Sequence, residues 1–411
     1  MIQKILISLL FIVTIVVGQK KYSPVFIEHN SILNSSQIEY ISYRIPFDQL
    51  LFIKNGSGYK ASFTIIFEIY KEDSFEKREI SKKDIATDKY EDTKSGEVYF
   101  EDLISFELTP DDYLLKPTLA IGSTELDIAL PELKLHISDY QNENIFSPIV
   151  LKNINTKQKN KFSFELTNLQ NYIPFSPEKF SLLIGIKDTS IKMVDIELKQ
   201  NDKSILKKQI SKLFDGNLKL SKLNSINVFP DSSSHPNGYF LLDNFSNQLE
   251  EGKLDLIVKV DSTEKKYPLE VYWQNKPKVL NDAEYSIKLL SYIEDTDVVK
   301  SLLQGDEEIY YNNLYKYWAE NFPTNIKYNY AIEEYYSRAD YAIKNLSSLK
   351  SKKGAESDRG KIYITYGPPT SIDRNYNERN EIIEVWDYEK ISRSFIFKDI
   401  TGTGEYTLVK E

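Results

Sequence analysis

The sequence predicts a multidomain protein: two β-sandwich domains of immunoglobulin-like type, followed by an α+β domain of helices and an antiparallel sheet. Three observations predict it. From about residue 22 to Trp273, apolar and polar residues alternate with the period of two of half-buried strands. After Lys276-Pro277 the apolar spacing becomes three and four, the period of amphipathic helices. Beyond Gly354 the chain returns to short apolar runs punctuated by glycine and proline. With 411 residues, 41% of them apolar, the chain exceeds what one ordinary core organises and has enough apolar content for two or three.

The N-terminus reads MIQKILISLLFIVTIVVGQKK. Lys4 precedes an apolar run at residues 5–17, and Gly18 follows with Val16 two positions before it, the pattern of a secretory signal peptide over residues 1–18. The run is shorter than the ~20 residues of a membrane-spanning helix. Cleavage after Gly18 is expected, with location in the periplasm or outside the cell and no membrane span in the mature chain. There is no cysteine, so disulfides, thiol catalysis, sulfur-ligated zinc and lipid attachment to cysteine are excluded, and the domains rest on their cores. A net charge of -9 and a pI near 5.3 lack the basic footprint of a nucleic-acid or anionic-membrane binder.

Residues 19–140 are expected to form the first β-sandwich. EYISYRIP, YKASFTIIFEIYK, VYFEDLISFEL, YLLKPTLAI and TELDIALPELKLHI read as strands, with Phe63, Ile65, Phe67 and Ile69 on one face. In LTPDDYLL, Tyr113 follows a turn at the start of a strand. It is either a tyrosine corner of the immunoglobulin-like kind or an ordinary half-buried strand residue. Residues 141–275 are expected to form the second sandwich, from KFSFELTNL, FSLLIGIKD, KMVDIELKQ and KLDLIVKV, while NVFPDSSSHPNG reads as an exposed loop.

Residues 276–411 are expected to form the α+β domain. In NDAEYSIKLLSYI, Ala283, Ile287, Leu290 and Ile293 share a face, with Asn281 or Asp282 as cap. Tyr311, Leu314, Tyr315, Trp318 and Phe322 line a second helix stopped by Pro323. A third sets Ile332, Tyr335, Ala339, Ala342, Ile343, Leu346 and Leu349 on one stripe, which reads as core rather than as a ligand box. Gly354, after Lys350, Lys352 and Lys353, is expected to end that helix. Gly360 should then release the chain into KIYITY, a strand closed by Gly367-Pro368-Pro369. IIEVWDY, SFIFKDI and EYTLVKE complete a four-stranded meander, with Gly402 and Gly404 marking its last turn.

EEYYSRADYA, GAESDRGKIYITYGPP, EVWDY and the closing FIFKD and GEYTLV, in that order, resemble the GWxTD domain over residues 276–411. That family is named for a Gly-Trp-x-Thr-Asp motif. The resemblance implies an exported bacterial cell-envelope protein with β-sandwich segments ahead of the domain; it implies no particular reaction. Gly354, Ser357 and Asp358 match the Gly, hydroxyl and Asp positions, followed by Arg359, Gly360, Gly367, Pro368 and Pro369, but Ala355 stands where the tryptophan belongs. Either Tyr341 or another aromatic fills that space, or the turn packs differently.

The three histidines, His29, His136 and His235, all lie in the β-rich part. The C-terminal domain therefore has only carboxylates for acid and base work: Glu333, Glu334, Asp340, Asp358 and Asp373. Their structural reading is solvated helix positions for Glu333 and Glu334, and a turn acceptor or a partner of Arg338 or Arg359 for Asp358. No G-x-S-x-G elbow occurs, and the spacing from Gly354 to Lys361 does not fit a phosphate loop. No cofactor or metal is expected. The favoured reading is a non-enzymatic binding or assembly protein contacting a protein or glycan of the cell envelope. The alternative is an extracytoplasmic carboxylate-dependent hydrolase acting on glycan.

Overall fold

The computed structural model describes residues 25–410 apart from 33–37, 97, 123–126, 159–160, 168–171, 232–234 and 349–352. The expected signal peptide and Leu349 lie outside the described residues. The described chain is mostly β, in several sheets, with a small helical region before a C-terminal antiparallel sheet.

The first unit has two sheets. Phe26–Ser31, Ile38–Pro46 and Tyr99–Glu107 form one, and Gly58–Lys71 and Asp111–Ile121 lead the other. Ile41, Tyr43 and Ile45 from one meet Phe63, Ile65, Phe67 and Leu115 from the other in a single apolar cluster. The Tyr113 hydroxyl donates to the Thr109 carbonyl at 3.1 Å, the back-bond of a tyrosine corner. One long strand was not anticipated: Ser74–Thr87 pairs with Gly58–Lys71 along its length, although its sequence is dominated by charges. Among the described residues it pairs with that strand alone, and one side of it, carrying Lys77, Ser81 and Lys83, is half-buried against the facing sheet, where Ser81 meets the Tyr43 hydroxyl and Lys83 pairs with Asp102.

In the second unit the strand Lys203–Lys222 crosses between sheet regions. Its first half pairs with Met193–Gln200, and its second half pairs with Ile226–Asp231 and Asn237–Leu242. The expected loop at residues 227–238 is thus corrected at both ends, which lie in the strands Ile226–Asp231 and Asn237–Leu242. Ile226 and Val228 are fully buried, and that burial outweighs the turn-forming composition that follows. Glu101 joins the first unit to the second, accepting from Lys222 Nζ at 3.1 Å and from the Ile226 amide at 3.2 Å.

The C-terminal unit has helices α1 (Ala283–Leu289), α2 (Thr296–Leu302), α3 (Tyr310–Asn321), α4 (Tyr330–Asn345) and α5 (Asp358–Tyr366). Asp282 caps α1 by accepting from the Tyr285 amide at 2.9 Å. Asn329 caps α4, and its amide nitrogen also donates to the Trp318 and Phe322 carbonyls, which clamps the end of α3 to the start of α4. The sheet follows in the order Ser371–Tyr376, Ile382–Tyr388, Arg393–Asp399, Thr407–Lys410. Trp386, Tyr388, Phe395 and Phe397 turn its inner face onto the helices. Trp273 belongs to this core, stacked edge-on with Phe175 and Tyr328 at centroid distances of 5.5 Å.

Four expectations near Gly354 are corrected. KIYITY is the body of helix α5, and the first strand of the meander is Ser371–Tyr376. Helix α4 ends at Asn345, before Gly354. Gly360 lies inside α5, and Gly367-Pro368-Pro369 closes a helix rather than a strand. The cause is a helix start that outweighs the strand-like Ile-Tyr-Ile-Thr run: Ser357 Oγ accepts from the Gly360 amide at 3.0 Å, with acidic Asp358 in the first turn.

Candidate functional site

The stretch from Gly354 to Pro369 is a corner in which Gly354, Ser357, Asp358, Gly360 and Gly367 each have a mechanical role. A side chain on Gly354 would meet the Ala342 carbonyl of α4 at 2.0 Å, and one on Gly360 would meet the Gly354 carbonyl at 2.0 Å. Both glycines are there for close backbone approach. Ser357 also donates to the Gly354 carbonyl at 2.7 Å. Asp358 Oδ2 accepts the Leu408 amide at 2.9 Å, and Oδ1 lies 3.4 Å from Lys361 Nζ. Gly367, at φ +82°, ends α5, and its carbonyl accepts from the Tyr388 hydroxyl at 2.9 Å. Arg338 donates to the Ile364 and Thr365 carbonyls, a cation at the helix's negative end.

Ala355 is fully buried. The aromatic that reaches it is Tyr292, whose hydroxyl donates to the Ala355 carbonyl at 3.0 Å. Tyr341 does not fill the space: it is 46% exposed and stacks on Tyr363 with centroids 4.4 Å apart.

Next to the corner lies a buried charge cluster. Glu384 accepts from Arg359 Nη1 at 3.1 Å and Trp386 Nε1 at 2.7 Å on one oxygen, and from Arg374 Nε and Nη2 at 3.2 and 2.7 Å on the other. Burial pushes the Glu384 carboxyl up, but Arg374, Arg359 and Trp386 together hold it below the usual carboxylate range. The Arg359 guanidinium lies 3.9 Å from the centroid of the Tyr406 ring. This cluster went unread in the sequence, although a signal was there. In IIEVWDY, Glu384 falls on the same face as Trp386 and Tyr388, and a carboxylate on a buried face needs a cationic partner.

Beside the cluster is a groove of about 540 Å³ between α4, α5 and the strand Ser371–Tyr376. Tyr341, Tyr363, Pro368 and Pro369 form its helical side, and Ile372 and Arg374 its strand side. The motif residues therefore come together, as structure around one open surface.

The carboxylates do not converge. Asp340 accepts from the Lys278 and Val279 amides at 2.5 and 2.9 Å. Glu334 pairs with Arg338 one turn along α4, Asp358 holds Leu408, and Asp373 sits on an exposed strand. Glu333 lines a different cavity, together with Tyr328 and Trp273. Among the described residues, no cluster of three or more His, Asp or Glu could hold a metal ion, and no helix is long and apolar enough to cross a membrane.

Residues 255–411 match the family model of the GWxTD domain. The matched GWxTD region begins inside the strand Gly252–Val260, ahead of Trp273, and so takes in the whole of the corner, the charge cluster and the groove. No curated protein matches the chain. A tandem pair of titin immunoglobulin domains, A164-A165, is similar over 61% of this chain and 98% of that chain, at 8% identity and a TM-score of 0.14. At so low a score the likeness carries nothing about the fold.

Proposed function

We propose that this chain is an exported cell-envelope protein of binding or assembly type, in which two immunoglobulin-like β-sandwich units precede the GWxTD region. One observation carries the reading: the motif residues are engaged in internal contacts, while the groove they build displays tyrosine, proline, isoleucine and arginine to solvent. Such mixed aromatic and guanidinium surfaces are typical of binding faces. Export is supported by Lys4 and the apolar run before Gly18. The partner is a protein or a glycan of the envelope.

The test places a photo-crosslinking amino acid at Tyr341, in the groove, and at Ile80, on the first unit, in the full chain exposed to envelope extract. Adducts specific to Tyr341 are expected. Their absence, or glycan hydrolysis abolished by Asp358→Asn without loss of stability, overturns the reading. Sequencing of the exported protein should begin at Gln19; an intact Met1 defeats the export claim.

A further inference from the structure

The strand Ser371–Tyr376 is the end strand of its sheet, and its register with Ile382–Tyr388 runs without a bulge. The Asn377 amide donates to the Glu381 carbonyl, which sets the phase of the ladder. Hydrogen bonding alternates along an antiparallel pair, so Ser371, Asp373 and Asn375 direct their N–H and C=O groups to the neighbouring strand. The N–H and C=O groups of Ile372, Arg374 and Tyr376 then point away from the sheet. Every residue of this strand is exposed, Ile372 by 54% and Tyr376 by 69%. It carries no proline to blunt the edge, and its inward-facing charge, Arg374, is folded onto Glu384.

The side chains of Ile372, Arg374 and Tyr376 lie on the sheet face that carries Glu384 and Trp386, the face that forms the groove. A strand added at this edge, about 4.8 Å away, would send alternate side chains into the groove. The groove's charges are Arg359, Arg374 and Glu384, two cations against one carboxylate. Arg374 gives Nε and Nη2 to Glu384, and its Nη1 has no acceptor among the described residues.

We infer that the edge of Ser371–Tyr376 takes up an extended, acid-bearing segment of a partner protein as a fifth strand, with the segment's carboxylate facing Arg374. Main-chain bonds to Ile372, Arg374 and Tyr376 supply affinity, and the groove selects the alternate side chains. A second copy of this chain is disfavoured where it pairs about Arg374, which would set two guanidinium groups opposite each other. The inference rests on the binding reading above and narrows its partner to a peptide.

The experiment uses the full chain and a capped heptapeptide of alternating valine and threonine with one central glutamate. Its lysine counterpart and two versions N-methylated on either alternate set of amides complete the panel. Hydrogen exchange read by mass spectrometry should show protection gained within residues 371–376, localised to the amides of Ile372, Arg374 and Tyr376. The lysine peptide should bind about tenfold more weakly. Methylation of one alternate set should abolish protection while the other set is tolerated. Ile372→Pro removes an outward donor without touching the internal ladder, and should abolish binding while the fold persists. Arg374→Gln should erase the difference between the glutamate and lysine peptides.

Absence of protection by any peptide at about 1 mM overturns the inference. So does protection indifferent to N-methylation, or protection that grows with protein concentration alone. If Tyr341 still crosslinks an envelope component in those cases, the binding reading stands and only the edge strand is eliminated. If Tyr341 crosslinks nothing, both fall.

Discussion

Asp358 Oδ2 accepts the backbone amide of Leu408 at 2.9 Å, which ties the first turn of α5 to the last strand of the sheet. The motif's acid is therefore a staple between helix and sheet. Asp358→Ala should cost about 1–3 kcal/mol by leaving that amide unsatisfied. Asp358→Asn should cost less, because its carbonyl oxygen still accepts. All three tryptophans, Trp273, Trp318 and Trp386, belong to the C-terminal core, so tryptophan fluorescence during thermal melting follows this unit selectively. Unchanged melts for both variants defeat the staple.

Gly360 and Gly354 should each resist substitution. A methyl group at either would enter a backbone carbonyl at 2.0 Å, and a backbone cannot rotate aside as a flexible side chain can. Gly360→Ala and Gly354→Ala are expected to cost at least about 1–3 kcal/mol. Gly402→Ala has open space around its Cβ and tests a different quantity: strain at φ +68°, without a clash. Melts of the three variants separate the two effects.

Glu384 links this unit's stability to acid. Its folded carboxyl is held below the usual range, so its contribution is complete above the unfolded value of about 4.3 and is lost as pH falls through the folded one. Asp399 acts in the same direction. Burial raises its carboxyl, but the amides of Gly404, Thr401, Gly402 and Thr403 outweigh burial and lower it. The tryptophan-detected melting temperature should therefore fall below about pH 4.5, and more shallowly in Glu384→Gln. At neutral pH that variant should lose about 3–5 kcal/mol, because Arg359 is left buried without its partner. A pH profile parallel to the parent's contradicts the assignment.

Ala355→Trp restores the residue of the family motif at a position with no exposed surface. Tyr292 reaches this position, so the indole is expected to overpack the corner by about 1–3 kcal/mol. The penalty should shrink in the Tyr292→Ala background. Equal penalties in both backgrounds mean that Tyr292 does not occupy the tryptophan's space.

Trp273 is buried in the C-terminal core, so a fragment beginning at residue 276 lacks one of that core's own residues. A fragment beginning at residue 273 should be more stable than one beginning at 276, by about 3 kcal/mol or more for a buried aromatic. Denaturant titration followed by circular dichroism makes the comparison. Equal midpoints place Trp273 outside the folding unit.

Much of this architecture was legible in the sequence because burial imposes a period. Strict alternation in YKASFTIIFEIYK marked the strand Gly58–Lys71, and the three-four spacing from Tyr311 to Trp318 marked α3. Asp282 and the glycines of the last turn were legible too, since caps and positive φ select residue types locally. Where local signals competed, the reading failed. KIYITY alternates like a strand and is a helix, because Ser357 and Asp358 begin a helix just ahead of it and α4 and the sheet bury Gly360, Ile362 and Ile364 together. Ser74–Thr87 shows the converse: its burial alternates, but Lys77, Ser81 and Lys83 occupy the half-buried side and Ile80 the exposed one, so no apolar period marks it.

The sequence by itself determined where strands give way to helices, that no thiol chemistry is available, and that Gly354 to Pro369 forms one motif. Only the tertiary structure decided what the motif is for. Gly354 meets Ala342, Asp358 holds Leu408 and Glu384 gathers Arg359 and Arg374 across distances in the chain that no local pattern encodes. Close packing and the pairing of buried charge are properties of residues brought together by folding. The groove and the open edge at Ser371–Tyr376 therefore emerge only once helix and sheet are in place.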